Sequence, residues 1–326
     1  MTPSLDIVIV NWNTGRQLRA CLDSIVRTSR LGYVLRRVIV VDNASSDGSC
    51  DSLEAEDLPL VAVRNLTNRG FAAACNQGAR GSDADYLLFL NPDVVLFERS
   101  LERPLAFLET SAAGHAGICG IRLIDEAGTP CMSAARFPSA KSFLIDALGL
   151  SRSWPRRFPP TMLCPDENVG LLEVDQVIGA FFLIRRHLFV QLEGFDERFF
   201  VYFEELDLSL RARRLGHSSW VLTDVAARHL GGLSTGQVRA KRLFYSLRSR
   251  LVYASKHYSR AGRALVTVAT VLELGPRLLR AALRASAREA RETLVAYWWL
   301  APALVASASR RDASGPTSPR SDAPGG

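Results

Sequence analysis

Acidic side chains in two short motifs, LLFLNPDVVL and FEELDLSLR, are the first candidates for chemistry. In the first motif, Asp93 follows an apolar run and a proline that cannot donate to a sheet, which predicts a carboxylate just past the end of a buried strand. Ligands bind at that edge in open α/β sheets. A loop aspartate that bonds only neighbouring backbone groups is the alternative. The position therefore suits a ligand or metal contact, and a turn residue stays open.

The second motif places three carboxylates on one predicted helix. Glu204 and Asp207 share a face, whereas Glu205 is turned by about 100°, so the two glutamates should have different roles. Arg211, four residues after Asp207, is a natural ion-pair partner. The apolar flanks GFDERFFVY and LSL are a setting that can raise a carboxylate pKa for general-base work. A solvated helix face is the alternative.

His229 lies in RHLGGLST, a glycine-rich loop after a predicted strand. A lone histidine is more often structural than functional. Because this one follows both acidic motifs, it is also a candidate to complete an oxygen-rich site for Mg²⁺ or Mn²⁺.

Polar residues also follow the ends of other predicted strands. Asp42 and Asn43 in VVDNASSDGS can hydrogen-bond a base or a ribose. In NRGFAAACNQG, residues 68–70 open a helix whose free N–H groups suit a phosphate. The turn after the first strand, with Asn11 and Asn13, reads NWNTG; it lacks GxGxxG, and no GxxxxGK[ST] occurs in the chain. These residues predict a nucleotide site that is neither a dinucleotide fold nor a P-loop.

Alternating strands and helices must position these residues. Up to about residue 125 the expected elements are strand Leu5 to Asn11, helix Gln17 to Thr28, strand Val38 to Asp42, strand Leu60 to Asn65, helix Phe71 to Ala79 and strand Tyr86 to Asn91. That rhythm predicts a mostly parallel sheet with helices on both faces. Residues 126–172 are irregular and rich in Pro and Arg, which is typical of a binding loop. A second ordered block follows from Glu173 to His229.

Composition indicates a globular protein that carries its positive charge near the carboxyl terminus. The 326 residues are 48% hydrophobic and 22% charged, with six cysteines in no CxxC pair. Reduced, mostly buried thiols are expected, which suits the cytosol. The amino terminus resembles a first strand and not a signal peptide, so export is not expected. Of the formal charge of +7, residues 236–292 contribute thirteen Lys and Arg against three Glu.

The carboxyl-terminal segment predicts a basic amphipathic helix. Five arginines recur at intervals of three or four and therefore share one face; they are Arg277, Arg280, Arg284, Arg288 and Arg291. The apolar stretch LVAYWWLAPALVA that follows is shorter than the roughly 20 residues needed to span a bilayer. Lying in the membrane interface is the favoured hypothesis, and packing on the rest of the protein is the alternative. Nucleic-acid binding fits less well, because the stripe has no interleaved aromatics. Residues 307–326 are expected to be disordered.

Seven motifs in this order resemble the inverting glycosyltransferases of family 2, and in particular bacterial rhamnosyltransferases that build cell-surface polysaccharide. The motifs are VIVNWN, VVDNASSDGS, NRGFAAACNQG, LFLNPDV, GAFFLIRR, GFDERFFVYFEELDLSLR and HLGGLST, within residues 4–258. The resemblance implies an α/β GT-A fold: a Rossmann-like, mostly parallel sheet flanked by helices. It divides the chain into a nucleotide-sugar half (1–125), an acceptor half (126–235), a basic helical region for membrane association (236–306) and the tail.

The resemblance also assigns roles to residues. Asp93 matches the last acid of the metal-binding DxD element, here Asn-Pro-Asp, and His229 the histidine that can join it. Glu205, a Glu where Asp is usual, matches the second acid of the family's Glu-Asp pair, the general base, and Glu204 lies beside it. The positions implied for the nucleotide sugar are Asn11, Asn13, Asp42, Asn43, Asn68, Arg69, Gly70, Asn76, Asn91 and Gly179.

The activity implied is a metal-dependent single displacement with Mg²⁺ or Mn²⁺. The expected donor is dTDP-rhamnose, with UDP- or GDP-sugars as other possibilities. The expected acceptor is an oligosaccharide or a glycan on a polyprenyl diphosphate, at the cytoplasmic face of an anionic membrane, with no nucleic acid involved. A non-catalytic nucleotide-sugar-binding scaffold of a polysaccharide assembly complex is the alternative.

Overall fold

A nine-stranded sheet forms the centre of the protein. The computed structural model describes residues 2–51, 53, 57–110, 113–231 and 239–309. The strands in chain order are β1 (Ser4–Asn11), β2 (Val34–Asp42), β3 (Leu60–Arg64), β4 (Tyr86–Leu90), β5 (Val94–Leu96), β6 (Ala116–Ile124), β7 (Ala134–Ala135), β8 (Met162–Leu163), β9 (Leu171–Val174), β10 (Gln176–Val177), β11 (Phe181–Arg185) and β12 (Ser218–His229).

The sheet is mostly parallel, as predicted. Its order is β3-β2-β1-β4-β11-β6-β12-β5, with β9 also paired to β12, while β10, β7 and β8 form a small separate sheet. Pairing directions put β1, β2, β3, β4, β6 and β12 in one orientation and β5, β9 and β11 in the other. The insertion of antiparallel β11 between β4 and β6 is the main departure from an all-parallel sheet.

Helices cover both faces of the sheet and then continue as a carboxyl-terminal block. They are α1 (Arg16–Val26), α2 (Phe71–Ala79), α3 (Glu102–Leu108), α4 (Ala140–Ala147), α5 (Leu150–Ser153), α6 (Arg186–Gln191), α7 (Glu204–Arg214), α8 (Arg239–His257), α9 (Arg260–Leu272), α10 (Leu274–Leu283) and α11 (Ala287–Ser309). One apolar core unites the sheet with α1 and α3, and a second unites it with α2, α6 and α7. The expected three-layer α/β arrangement is confirmed.

The structure agrees with the expected elements up to residue 90. Helix α2 has the predicted bounds, and α1 ends two residues earlier than predicted, at Val26. Strand β4 ends at Leu90, and a tight turn in which Val94 N–H donates to the Asn91 carbonyl leads into β5. Asp93 therefore lies in a turn between two strands, at the carboxyl end of β4.

The predicted continuous basic helix is wrong, because the chain breaks within the arginine stripe. Helix α10 ends at Leu283 and α11 begins at Ala287, with Ala285 between them at φ 50°. A non-glycine residue in the left-handed region cannot continue a right-handed helix. Residues 307–309 of the expected disordered tail belong to α11, and 310–326 lie outside the described residues, as does most of the HLGGLST loop.

The carboxyl-terminal helices pack on the rest of the protein through α8 and, against α4, through α9. Tyr253 of α8 packs with Phe199 and Leu206 in a buried cluster, and Leu247 packs with Leu300 of α11. Burial of such side chains stabilises by roughly 1.5–3 kcal/mol each. Among the described helices, none combines the length and apolar character needed to cross a membrane.

Candidate active site

The carboxyl ends of the first four parallel strands meet at one edge of the sheet. Asn11 lies beside Asp42 in the β1–β2 register, and Ile9 lies beside Leu90 at the end of β4. Backbone pairing adds the start of β11, because the Asn91 N–H donates to the Ala180 carbonyl at 3.0 Å. Most of the predicted site residues therefore lie near this edge, as expected for a ligand site in an α/β sheet.

Asp93 and His229 are brought together from strands 136 residues apart in sequence. The β5–β12 ladder pairs His229 with Val94, and the Leu230 N–H donates to the Asp93 carbonyl at 2.9 Å. Their side chains meet, with His229 Nε2 3.4 Å from Asp93 Oδ1. Both are partly exposed, so a ligand can reach them.

The donor set suits a divalent cation that also binds the substrate. Within the described residues, no cluster of three or more His, Cys, Asp or Glu side chains forms a metal site. A carboxylate and an imidazole side by side fit Mn²⁺ or Mg²⁺ when phosphate oxygens and water complete the shell. Asn91 does not add a carboxylate, and its backbone instead shapes the turn.

Glu204 and Glu205 open α7 and have different surroundings, as predicted. Glu204 is buried, and burial followed by the charge of Glu205 raises its pKa well above the ordinary value. Burial also raises the pKa of Glu205, while backbone N–H groups, including that of Gly179, act in the opposite direction. Each carboxylate keeps one buried oxygen without a protein partner. A carboxylate with a raised pKa and an unpaired oxygen can accept a proton from a substrate hydroxyl.

Gly179 lies directly against the catalytic candidate. A methyl group placed on it would sit 3.6 Å from the carboxyl carbon of Glu205. Gly179 thus approaches Glu205 closely: its backbone N–H faces the carboxylate and its missing side chain leaves space beside it. A contact between Gly179 and the nucleotide sugar stays a prediction.

Two aromatic residues before α7 have strained backbones, which the sequence did not signal. Tyr202 and Phe203 have φ values of 67° and 72°, an uncommon region for bulky residues. Helix α8 supports this turn, since Ser249 Oγ donates to the Val201 carbonyl at 2.9 Å. The strain places Glu204 and Glu205 at the first turn of α7, and such strain is often found at functional sites.

Asn11, Asn13 and Asp42 organise the loop after β2. Asn11 is buried, and its amide donates to Asp42 Oδ1 at 3.1 Å and to Ser49 Oγ at 2.8 Å. Asn13 Oδ1 accepts from the Ser46 N–H at 2.8 Å. Asn11 thus fixes the loop by contacts within the protein, and a direct contact between these three residues and a nucleotide stays a prediction.

Asn43 ties this loop to the one that starts α2. Its amide donates to the Gly70 carbonyl at 3.0 Å, and its Oδ1 accepts from the Arg69 N–H at 3.2 Å. Asn68 Oδ1 in turn accepts from the Gly70 N–H at 2.9 Å. The Arg69 side chain is exposed and free to reach a phosphate.

Asn76 faces the loop before α7 and not the carboxyl edge of the sheet. Its amide donates to the Phe195 carbonyl at 2.8 Å and its Oδ1 accepts from the Phe195 N–H at 2.9 Å. These paired bonds hold the GFDERFF loop against α2. They give Asn76 a positioning role in the structure, and a contact with the donor remains a prediction.

Asp207 holds α7 to α8 through contacts that the sequence revealed only in part. The predicted pair with Arg211 is confirmed at 2.7 Å. Lys256 Nζ and His257 Nε2 of α8 also lie 2.7 Å from Asp207 Oδ1. Burial alone would raise the pKa of Asp207, but these three partners outweigh it and hold the pKa below its ordinary value. The acid helix is therefore anchored by the carboxyl-terminal block.

Solved structures define the class of this fold. The mannosyltransferase PcManGT from Pyrobaculum calidifontis, solved in complex with GDP-Man and Mn²⁺, matches with a TM-score of 0.54, 16% identity, and coverage of 95% of this chain and 86% of that chain. Together with the mostly parallel sheet and its helices, this likeness defines a GT-A fold.

Comparisons of sequence indicate a glycosyltransferase. Residues 6–163 match the model of glycosyl transferase family 2. The chain is 29% identical to the N-acetylglucosaminyl-diphospho-decaprenol L-rhamnosyltransferase of Mycobacterium tuberculosis over 306 residues, 88% of this chain and 97% of that protein. It is 32% identical to rhamnosyltransferase WbbL of Escherichia coli K12 over 139 residues, 42% of this chain and 49% of WbbL. Residues 6–163 match a family 2 glycosyltransferase domain, and the protein is a glycosyltransferase similar to rhamnosyltransferases.

Proposed function

We propose that the protein is an inverting, metal-dependent rhamnosyltransferase that uses dTDP-rhamnose and glycosylates a sugar carried on a lipid diphosphate. The observation that carries the proposal is that two different acidic groups lie at the carboxyl edge of the sheet: Asp93 next to His229, and Glu205 next to Gly179. Asp93 with His229 suits a metal–diphosphate complex, and Glu205 beside Gly179 suits a base. The Mycobacterium tuberculosis relative, named for a diphospho-decaprenol acceptor, supports this acceptor class.

The reaction is a single displacement. Glu205 accepts the proton of the acceptor hydroxyl, and that oxygen forms a bond to the anomeric carbon on the face opposite the nucleotide. The bond from that carbon to the diphosphate oxygen breaks with its electron pair, so the nucleoside diphosphate leaves and the configuration inverts. A Mg²⁺ or Mn²⁺ ion held by Asp93 and His229 would stabilise the negative charge of the leaving group.

Binding roles follow from the loops at the sheet edge. In the proposal, the Asp42–Asn43 loop receives the base and ribose, and the exposed Arg69 with the start of α2 receives phosphate. The bonds of Asn43 to the Arg69 N–H and the Gly70 carbonyl keep the two loops at a fixed separation. One nucleotide would therefore contact both loops.

A donor panel tests the proposal. Purified protein with Mn²⁺ or Mg²⁺ and a membrane extract should release nucleoside diphosphate from dTDP-rhamnose and from few other nucleotide sugars. Glu205→Gln should lower turnover by about 10²–10⁴-fold with little change in donor affinity. Glu98→Gln, an exposed substitution just after β5, is the control. Release from none of the dTDP, UDP and GDP sugars would defeat the proposed function.

We also propose peripheral contact with the cytoplasmic face of an anionic membrane. Leu279 and Leu283 of α10 are 62% and 80% exposed, and Val268, Val271 and Leu272 of α9 are exposed as well. These residues recur at helical spacing, with Arg280 and Arg284 nearby. Apolar side chains flanked by cations are the composition that binds an anionic lipid surface.

Liposome flotation tests this contact. Leu279→Glu with Leu283→Glu should reduce binding to vesicles that contain an anionic phospholipid, because both apolar side chains are replaced by acids. Leu31→Glu is the matched control, since Leu31 is 71% exposed on the opposite part of the chain, near β2. Equal vesicle binding by the wild type, the Leu279→Glu/Leu283→Glu double variant and Leu31→Glu would contradict the proposed membrane face.

A further inference from the structure

A groove of about 460 Å³ lies between α8 and the helices α10 and α11, outside the sheet-edge site. Its lining is dominated by arginines. The residues that line it are Arg239, Arg242, Leu243, Ser246, Arg277, Arg284, Glu289, Glu292 and Thr293. We call it the arginine groove.

The arginine groove is positively charged where ligands can enter. Four guanidinium groups and two carboxylates line it. Arg277 is paired with Glu273, outside the groove, at 2.9 Å, and both carboxylates of the groove also have partners. Glu292 Oε1 accepts from Nε of Arg288, which lies outside the groove, at 2.9 Å, and Glu289 lies 3.8 Å from Arg284. Arg239 and Arg242 are exposed on the first turn of α8. Such a set of planar donors is suited to phosphate oxygens.

One end of the groove borders the turn that leads into α7. The Arg242 side chain lies within hydrogen-bonding reach of Tyr202, and Ser249 Oγ, further along α8, donates to the Val201 carbonyl at 2.9 Å. An anion in the groove would therefore lie beside the turn that positions Glu204 and Glu205.

We infer that the arginine groove binds the diphosphate of the lipid-linked acceptor. This inference rests on the proposed function and adds to it the site that recognises the acceptor. In a sugar diphosphate the phosphate is attached to the same ring that presents the attacking hydroxyl. Its binding site must therefore lie close to the base, and the groove borders the turn before α7, the helix on which Glu205 lies.

The surroundings of the groove also suit the lipid. Leu283 and Leu294, the sequence neighbours of the groove residues Arg284 and Thr293, are exposed apolar side chains, and Trp298 one turn further along α11 is exposed too. A prenyl chain leaving the diphosphate would meet these side chains before it enters the bilayer.

Three single substitutions test the inference: Arg242→Gln and Arg284→Gln in the groove, and Arg291→Gln as a matched control on the exposed side of α11. Transfer is measured to a short-chain prenyl diphosphate sugar and to a neutral alkyl glycoside of the same sugar. The preference in kcat/KM for the diphosphate acceptor should fall about tenfold in each groove variant, since each removes charge-assisted hydrogen bonds to phosphate. Arg291→Gln should keep the preference, and the KM for the donor should stay the same in all three.

Calorimetry separates failure of the inference from failure of the proposed function. A short-chain prenyl diphosphate should bind the full-length protein without any donor, more weakly in the groove variants and normally in Arg291→Gln, even if dTDP-rhamnose is not the donor. An unchanged acceptor preference, or an equal loss with both acceptors, would overturn the inference. If the groove variants instead lose binding to anionic vesicles with the preference intact, the groove binds membrane phospholipid and the inference is wrong. A raised donor KM would assign the groove to the nucleotide diphosphate.

Discussion

The His257 Nε2 atom lies 2.7 Å from the Asp207 Oδ1 atom and thereby joins α8 to the helix that carries Glu204 and Glu205, the candidate catalytic acids. Lys256 extends the link, because its Nζ lies 2.7 Å from both Asp207 Oδ1 and Asp196 Oδ2. Asp196 belongs to the loop before α7. One turn of α8 therefore holds both the acid helix and the loop that leads into it, so the carboxyl-terminal block supports the candidate active site.

Asp207→Asn should destabilise the protein by about 3 kcal/mol, because it leaves partly buried Lys256 and Arg211 without their counter-charge. The partners keep some solvent contact, which sets the value at the low end. The lowered pKa of Asp207 means that its stabilisation is complete above the ordinary carboxylate pKa and is lost as the pH falls through the lower folded-state pKa. Thermal unfolding at several pH values should therefore show the deficit at pH 7 and a smaller deficit below about pH 4.

Asp83→Asn is the matched control for that comparison. Asp83 pairs with Arg36 at 3.0 Å on the surface, with most of its side chain exposed, and such a pair contributes about 0–1 kcal/mol. Equal losses of stability in the two variants would show that Asp207 does not anchor α7.

Glu204→Gln should stabilise the protein at high pH and keep turnover. Burial and the neighbouring Glu205 raise the pKa of Glu204, so the stabilisation it gives is present below the ordinary pKa and is lost as pH rises through the raised value. Glutamine resembles the protonated acid and does not titrate. The melting temperature of the variant should match that of the wild type near pH 5 and exceed it near pH 9. Turnover is measured as well. Loss of turnover in Glu204→Gln, with full activity in Glu205→Gln, would reverse the roles assigned to the two glutamates.

Local patterns predicted which strands form and where they end, but not how every polar side chain is used. Apolar runs that end at Asn11, Asp42 and Asn91 correctly predicted which edge of the sheet is polar, because parallel strands align their carboxyl ends. Whether an amide there faces a ligand or the protein depends on the loop it meets. Asn11 turns to the Ser45–Cys50 loop and Asn76 to the loop at Phe195, contacts that no spacing rule contains.

Long-range contacts account for the rest of what the sequence did not reveal. The partner of Asp207 at i+4 was predictable from helix geometry, whereas His257, fifty residues away, has no local signature. The even spacing of the arginines indicated one helix, but a break at Ala285 outweighed the periodicity. That break turns α11 back onto α8 and α10, where Leu300 is buried.

Gly70→Ala should damage the donor site more than Gly81→Ala does. Both glycines have positive φ, 85° and 69°, so either alanine is strained by about 1 kcal/mol. Only at Gly70 would the added methyl meet the backbone, with the Phe200 carbonyl oxygen 2.5 Å away, whereas nothing lies within 4 Å at Gly81. Gly70→Ala must therefore push the loop before α7 from α2. We expect a clearly larger fall in melting temperature and weaker nucleotide binding, and similar values for the two variants would contradict this close contact.

Asp93→Asn should weaken Mn²⁺ binding in the presence of nucleoside diphosphate by about 10–100-fold, a loss typical of removing a metal-site interaction. The amide keeps the size of the side chain but not its charge, so the backbone bond from Leu230 to residue 93 and the β5–β12 pairing should persist. Electron paramagnetic resonance of free Mn²⁺ measures the affinity without depending on turnover. Asp23→Asn, an exposed change on α1, is the control and should bind Mn²⁺ normally.

His229→Ala should show a loss of Mn²⁺ affinity of the same order, because His229 Nε2 and Asp93 Oδ1 lie 3.4 Å apart and would share the ion. Normal Mn²⁺ affinity in both Asp93→Asn and His229→Ala would exclude this pair as the metal site.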